Sequence, residues 1–261
     1  MSAYDKSSQY HTDLTLAGEV QQLLFPKSSP ICSWCCIGVK NRMAKELGGD
    51  YFDFISMPDR CQSLLLGDAT GHGLHASLVM SLIYGFIYRA VKGTCSPCDI
   101  AKGINSLLNS FGRRTNRFDH LFSSTLFFAI VDPESLKMDY VNCGQVAPLI
   151  KRGDAIRQLE SSGPPLGFFD SPEMGLKSFQ FQPGDRLLVY TDGIPDRKNG
   201  VDQPFGIDRI AGFLRNDTSD HLELLENLFQ QNDRFSAGQE ADDDMTAIVF
   251  DFHPPFGAAA V

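Results

Sequence analysis

No stretch of about 18 consecutive apolar residues occurs in the 261-residue chain, so the sequence offers no simple membrane-spanning helix. Its longest apolar region, 78–91, is interrupted by Ser81, Gly85 and Arg89. Positive charge is scarce. Lys and Arg total 23 against 32 Asp and Glu, the net charge is −9, and no basic run exceeds two residues. A nucleic-acid reader would carry a basic face, so the expected partners include neither nucleic acid nor membrane. Residues 1–13 are polar and lack the apolar core of a secretion signal, which makes a cytoplasmic location the expectation. The chain also lacks a GxSxG elbow, a P-loop and a GxGxxG following a strand. A seryl hydrolase, a P-loop NTPase and a dinucleotide-binding enzyme lose their signatures with them.

Cysteine is present seven times, an odd number. Cys32–Cys35 and Cys95–Cys98 both have CxxC spacing, but the gap between the pairs far exceeds that of a zinc ribbon. The first pair enters an apparent strand, where Cys behaves as a small buried apolar residue. The second falls in a turn between helices. Neither a zinc site nor a disulfide framework is expected.

What the chain does have is 43% hydrophobic residues, enough for one sizeable core. Residues 12–25 read as a helix stopped by Pro26, with Leu14, Ala17, Val20 and Leu24 on one face. That face could pack locally or against a second copy. Residues 51–57 and 62–68 read as paired strands around the turn Pro58-Asp59-Arg60. Helices are expected over 74–92 and 99–111, the second with Asp99 as N-cap. Apolar runs at 125–131, 138–141, 148–150, 186–190 and 245–252 read as strands, and 207–215 and 220–230 as helices. This order is not a regular βαβ alternation. It predicts an α+β fold, with antiparallel sheets and helices segregated on their outer faces. The expected organisation is a tail and short amphipathic helix over 1–26, one domain over 27–253 and a flexible tail over 254–261.

Four places set aspartate where an apolar strand meets a turn: Gly48-Gly49-Asp50, Gly67-Asp68-Ala69-Thr70-Gly71-His72-Gly73, Thr191-Asp192-Gly193 and Asp242-Asp243-Asp244-Met245-Thr246. Singly, each reads as an ordinary turn or solvated loop. Jointly they describe strand-end carboxylates that could converge. Converging carboxylates repel and raise one another's pKa, and a hard divalent cation such as Mg²⁺ or Mn²⁺ relieves that repulsion. Two such ions about 4 Å apart can activate a water and stabilise a phosphoryl oxygen without a protein nucleophile.

With these motifs the sequence resembles the metal-dependent protein phosphatases of the type 2C (PPM) class, in the bacterial branch typified by SpoIIE and RsbU. The likeness runs over residues 14–252. Besides the aspartate motifs, it is carried by Leu23-Leu24-Phe25-Pro26, Glu46-Leu47, Asn142-Cys143-Gly144-Gln145, Pro164-Pro165-Leu166-Gly167, Gly184-Asp185 and Phe205-Gly206. Gln145 stands where the family usually has His, and Lys45 where eukaryotic relatives carry a phosphate-binding Arg. The resemblance implies a four-layer α-β-β-α sandwich, two antiparallel sheets flanked by helix pairs. It implies two Mn²⁺ or Mg²⁺ ions, with Asp68 bridging both, the Ala69 carbonyl completing one site, Asp192 and Asp243 binding the other metal, and Asp50 acting at the edge directly or through water. Between Asp243 and Asp244, the motif register selects Asp243. A water activated by the ions would attack phosphoserine or phosphothreonine in line.

The implied substrate is a phosphorylated regulatory protein, such as an anti-sigma-factor antagonist. Relatives of this branch usually carry a sensor ahead of the phosphatase, and here only residues 1–26 precede it. A separate sensor or activator protein, or regulation by assembly, such as a homodimer through the N-terminal helix, or by metal, is therefore expected. The rival readings are a pseudophosphatase that binds a phosphoprotein without turnover, a hydrolase of small phosphoesters, and a structural domain with scattered turn aspartates.

Overall fold

The computed structural model describes residues 3–57, 61–93, 96–114 and 121–254, with side chains described from residue 10 onward. The expected turn at 58–60, Cys95 and the tail beyond 254 lie outside them. The elements are α1 (Ala3–Gln22), β1 (Cys35–Arg42), β2 (Asp50–Ser56), β3 (Gln62–Ala69), α2 (Leu74–Ala90), α3 (Pro97–Gly112), β4 (Ser124–Asp132), β5 (Lys137–Cys143), β6 (Leu149–Arg152), β7 (Ala155–Gln158), β8 (Lys177–Gln180), β9 (Arg186–Tyr190), α4 (Ile207–Asn216), α5 (His221–Phe235) and β10 (Met245–Phe252). Two five-stranded sheets result, ordered β1-β10-β9-β6-β7 and β2-β3-β4-β5-β8. Every pairing is antiparallel. α4 and α5 cover the first sheet and α2 and α3 the second, which is the four-layer sandwich expected.

The apolar runs have a direct cause. In β10, Ile248, Phe250 and Phe252 enter the core between the sheets. Met245, Ala247 and Val249 face α4 and α5. Strand side chains alternate between faces, so a strand buried on both needs unbroken apolarity. β9 behaves alike: Leu187 and Val189 point to the first core, Leu188 and Tyr190 to the second. Phe54 of β2 meets Phe250 edge-on, and Phe181 stacks on Phe252, so aromatic rings join the two sheets.

Three expectations need correction. α3 begins two residues earlier than expected and its N-cap is Ser96, not Asp99. The Ser96 hydroxyl accepts the Asp99 N–H at 3.3 Å, with Pro97 in the first turn, where a missing N–H costs nothing. Asp99 sits in the first turn, favourable to the helix dipole. α1 starts at Ala3, because its polar first half shows no apolar period to read. Its packed face also differs: Leu14, Ala17, Gly18, Gln21 and Leu24 turn inward, while Val20 is exposed. Gly18 is required there, since a Cβ would lie 2.4 Å from the Glu46 carbonyl oxygen.

β2 and β3 show how tightly the strands are fitted. Tyr51 lies opposite Gly67, and a Cβ on Gly67 would fall 2.3 Å from the Tyr51 ring. The phenol is fully buried and hydrogen-bonded to Ser124 Oγ at 2.9 Å. Gly67→Ala must displace it, and overpacking of this kind costs about 1–3 kcal/mol. Urea denaturation of Gly67→Ala is expected to show that loss; an unchanged midpoint would contradict the packing described.

Candidate metal centre

All four aspartate motifs lie at one end of the sandwich, where β1, β3 and β9 end and β2, β4 and β10 begin. Asp68 comes from one sheet; Asp192 follows β9 and Asp243 precedes β10 of the other. One carboxylate oxygen of each lies within 4.8 Å of the others, and among the described residues this is the only such group of three or more metal-competent side chains. It contains no cysteine.

Glycines let these backbones meet. A Cβ on Gly49 would lie 2.6 Å from the Ala69 carbonyl oxygen and 2.8 Å from Asp68 Oδ1. One on Gly193 would collide with the Asp244 carbonyl oxygen at 2.0 Å. The motifs read as turns are thus close approaches between segments distant in sequence.

Asp243 and Asp244 face different ways, as neighbours entering a strand should. Asp243 joins Asp68 and Asp192. Asp244 is buried and accepts the Ala44 N–H at 2.8 Å and the Gly49 N–H at 2.7 Å, which pins the 44–49 loop to β10. Asp50 stands behind the group of three, outside its mutual 4.8 Å. It pairs with Asp68 across β2 and β3, and its Oδ2 accepts from the hydroxyls of Thr191 and Thr246. It therefore bonds across to the opposite sheet. Asp53 accepts from the Tyr84 hydroxyl of α2 at 2.6 Å. Lys45 Nζ lies 3.0 Å from His72 Nδ1, both on the exposed rim.

Sequence reading passed over Thr191, Thr246 and the clamp made by Asp244, and noted Gln145 only as a departure from a motif. The threonines stood inside quoted motifs, beside aspartates, and only that adjacency could have flagged them. Cys36 and Arg42 have the Cys-x5-Arg spacing of cysteine phosphatases. They lie on β1, and at about 3.3 Å per residue the strand holds them roughly 20 Å apart. No phosphate loop is built from them.

Burial and mutual repulsion dominate the electrostatics of the group. Burial, then the carboxylates of Asp50, Asp192 and Asp243, pushes Asp68 up to about 10. Burial, then Asp243 and Asp196, pushes Asp192 up to about 6. Asp243 is raised by burial and Asp244. Burial and Asp244 raise Asp50 well above the usual range, against the hydroxyl hydrogen bonds that lower it. Clustered carboxylate oxygens of this kind are a donor set suited to a hard divalent ion. Beside Asp192 the surface sinks into a depression of about 530 Å³, bordered by Val146, Pro195, Asp196, Phe205 and Arg209.

A family model described as stage II sporulation protein E (SpoIIE) matches residues 58–253, well over half of the chain. Protein IcfG of Synechocystis sp. is 26% identical, over 91% of this chain and 41% of that protein. The phosphoserine phosphatase RsbP of Bacillus subtilis is also 26% identical, over 59% of this chain and 38% of that protein. The chain spans less than half the length of these relatives. In structure it is similar to the SiaA-PP2C domain of Pseudomonas aeruginosa, with a TM-score of 0.79 at 20% identity over 97% of this chain and all of that one, a likeness of fold. No helix among the described residues is long and apolar enough to cross a membrane.

The raised carboxyls fix a sign for stability. A carboxyl whose folded pKa exceeds its unfolded value of about 3.9 stabilises the fold below that value and loses the contribution as pH rises through the folded pKa. For Asp192 that window runs from the ordinary carboxylate range to about 6, and for Asp68 to about 10. Carboxyls held low, such as Asp233 and Asp220, act with the opposite sign, but only below the ordinary range. Protein in chelator is therefore expected to melt at a lower temperature at pH 8 than at pH 5. Added Mn²⁺ should raise the melting temperature more at pH 8 than at pH 5, and metal-free Asp68→Asn should melt above metal-free wild type at pH 8. A metal-free melting temperature that climbs from pH 5 to pH 8, with no gain from Mn²⁺, would contradict the clustering.

Proposed function

The chain belongs to the stage II sporulation protein E (SpoIIE) family, and from that premise we propose that it is a metal-dependent serine/threonine phosphatase acting on a phosphorylated regulatory protein. The observation that carries this reading is the group of Asp68, Asp192 and Asp243, three carboxylates from two sheets whose oxygens converge within 4.8 Å. Asp68, the Ala69 carbonyl, Asp192 and Asp243 hold Mn²⁺ or Mg²⁺, two ions in all. Divalent ions bound there supply a low-pKa water and charge neutralisation at a phosphoryl oxygen.

The rest of the work falls to the protein. Asp50, fixed by Thr191 and Thr246, stands behind the carboxylates and orients solvent at their edge. Lys45 and His72 bring positive charge and a proton-carrying ring to the exposed rim. The residues flanking the phosphoserine lie along the depression beside Asp192. A regulator, or a second copy of the chain, docks on α1, whose Leu16 and Val20 face outward near the exposed Leu74 and Leu78 of α2. From α1 the Gln21 carboxamide bonds both the N–H and the carbonyl of Gly48 at 3.1 and 2.8 Å, two residues before Asp50.

Hydrolysis of p-nitrophenyl phosphate and of a phosphoserine peptide tests the proposal, run with Mn²⁺, with Mg²⁺ and with chelator. Turnover is expected with metal and should fall at least a hundredfold in chelator and in Asp192→Asn. Metal uptake without turnover under any condition would replace the phosphatase by a phosphoprotein-binding module. Turnover that survives both chelator and Asp192→Asn would overturn the site.

A further inference from the structure

The turn Asn142-Cys143-Gly144-Gln145 leaves β5 toward the metal centre. Gly144 adopts φ +72°, and a Cβ there would fall 2.4 Å from the Pro165 ring. The Asn142 side-chain oxygen accepts the Gln145 N–H at 3.0 Å. Gln145 is thereby aimed inward and buried, at 6% exposure. Its carboxamide then joins the two sheets. Oε1 accepts from the Thr125 hydroxyl of β4, and Nε2 donates to the Tyr190 carbonyl oxygen of β9 at 3.1 Å. Thr125 is the cross-strand partner of Asp68. Tyr190 ends β9, two residues before Asp192.

We propose that Gln145 is a positioning residue: its amide fixes the spacing of Asp68 on one sheet from Asp192 on the other, and so sets the affinity of the centre for a divalent cation. The inference rests on Asp68 and Asp192 being cation ligands. An amide has the chemistry this bridge requires. It presents an acceptor to a hydroxyl and a donor to a carbonyl, without charge. A carboxylate would lack the donor and would add another negative charge beside a repelling group. An apolar side chain would leave the buried ends unpaired. A small error in ligand spacing is costly at a metal site, because the partners that orient the ligands govern affinity as the ligands do.

The test uses Gln145→Met, which keeps length and volume and removes both hydrogen bonds, and Thr125→Val, which removes one. Mn²⁺ uptake by metal-free protein is followed by electron paramagnetic resonance of the free ion, counting the part lost in Asp192→Asn. Melting in chelator checks the fold. Gln145→Met is expected to weaken Mn²⁺ binding about tenfold, equivalent to about 1.4 kcal/mol, with melting lowered by only a few degrees. Thr125→Val should weaken it less. The double variant should bind no more weakly than Gln145→Met alone, because the two act through one bond. Mn²⁺ affinity of Gln145→Met within twofold of wild type, or losses that simply add in the double variant, would overturn the role of Gln145 alone. Wild type that takes up no Mn²⁺ at this centre would overturn the ligand reading beneath it.

Discussion

Three carboxylates held within 4.8 Å of one another in a half-buried setting repel each other, and the architecture of this end of the molecule is arranged to hold them there regardless. Two arrive from one sheet and one from the other, so neither sheet alone can make the group. The sandwich core, sealed by rings such as Phe250 and Phe252, supplies the opposing force. Burial of apolar side chains stabilises the fold by roughly 1.5–3 kcal/mol for each large residue, enough in sum to absorb several misplaced charges. A divalent cation bound among them would supply the matching counter-charge.

Holding the carboxylates also requires the backbones beneath them to touch. Gly49 lies against Asp68 and Ala69, Gly193 against Asp244, and Gly48 against the Asp244 carboxylate, each with no room for a side chain. Asp244 binds two backbone N–H groups of the 44–49 loop. Asp50 is tied to Thr191 and Thr246, and Gln145 to Thr125 and Tyr190. Each of these ties crosses from one sheet, or its loop, to the other. The seam between the sheets is thus polar at one end and apolar along its length. The same loop takes the side chain of Gln21, so the position of α1 and the position of Asp50 are mechanically linked.

Much of this was legible in the sequence, for particular reasons. β9 and β10 are buried on both faces and so announce themselves as apolar runs. Three of the strand-end aspartate motifs were legible because glycine stood beside them, the fourth because a triple aspartate preceded an apolar strand, and the α+β class because helices and strands came in blocks. β7 and β8 were not, since four half-exposed residues at a sheet edge carry no pattern. Nor was the pairing of β1 with β10, which joins Cys35 to Phe252 across nearly the whole chain. Strand alternation said that only one of Asp243 and Asp244 could face the site, but not what the other would do. Gln145 looked like a departure from a motif; its two partners, on different sheets, are visible only in three dimensions.

The central claim is that Asp68, Asp192 and Asp243 together hold divalent cations. Crystals grown with Mn²⁺ and measured at the manganese absorption edge would test it most directly. The account predicts anomalous density bounded by those three carboxylates, absent from crystals of Asp192→Asn. Manganese bound only elsewhere, with the three carboxylates splayed apart around an empty centre, would contradict it.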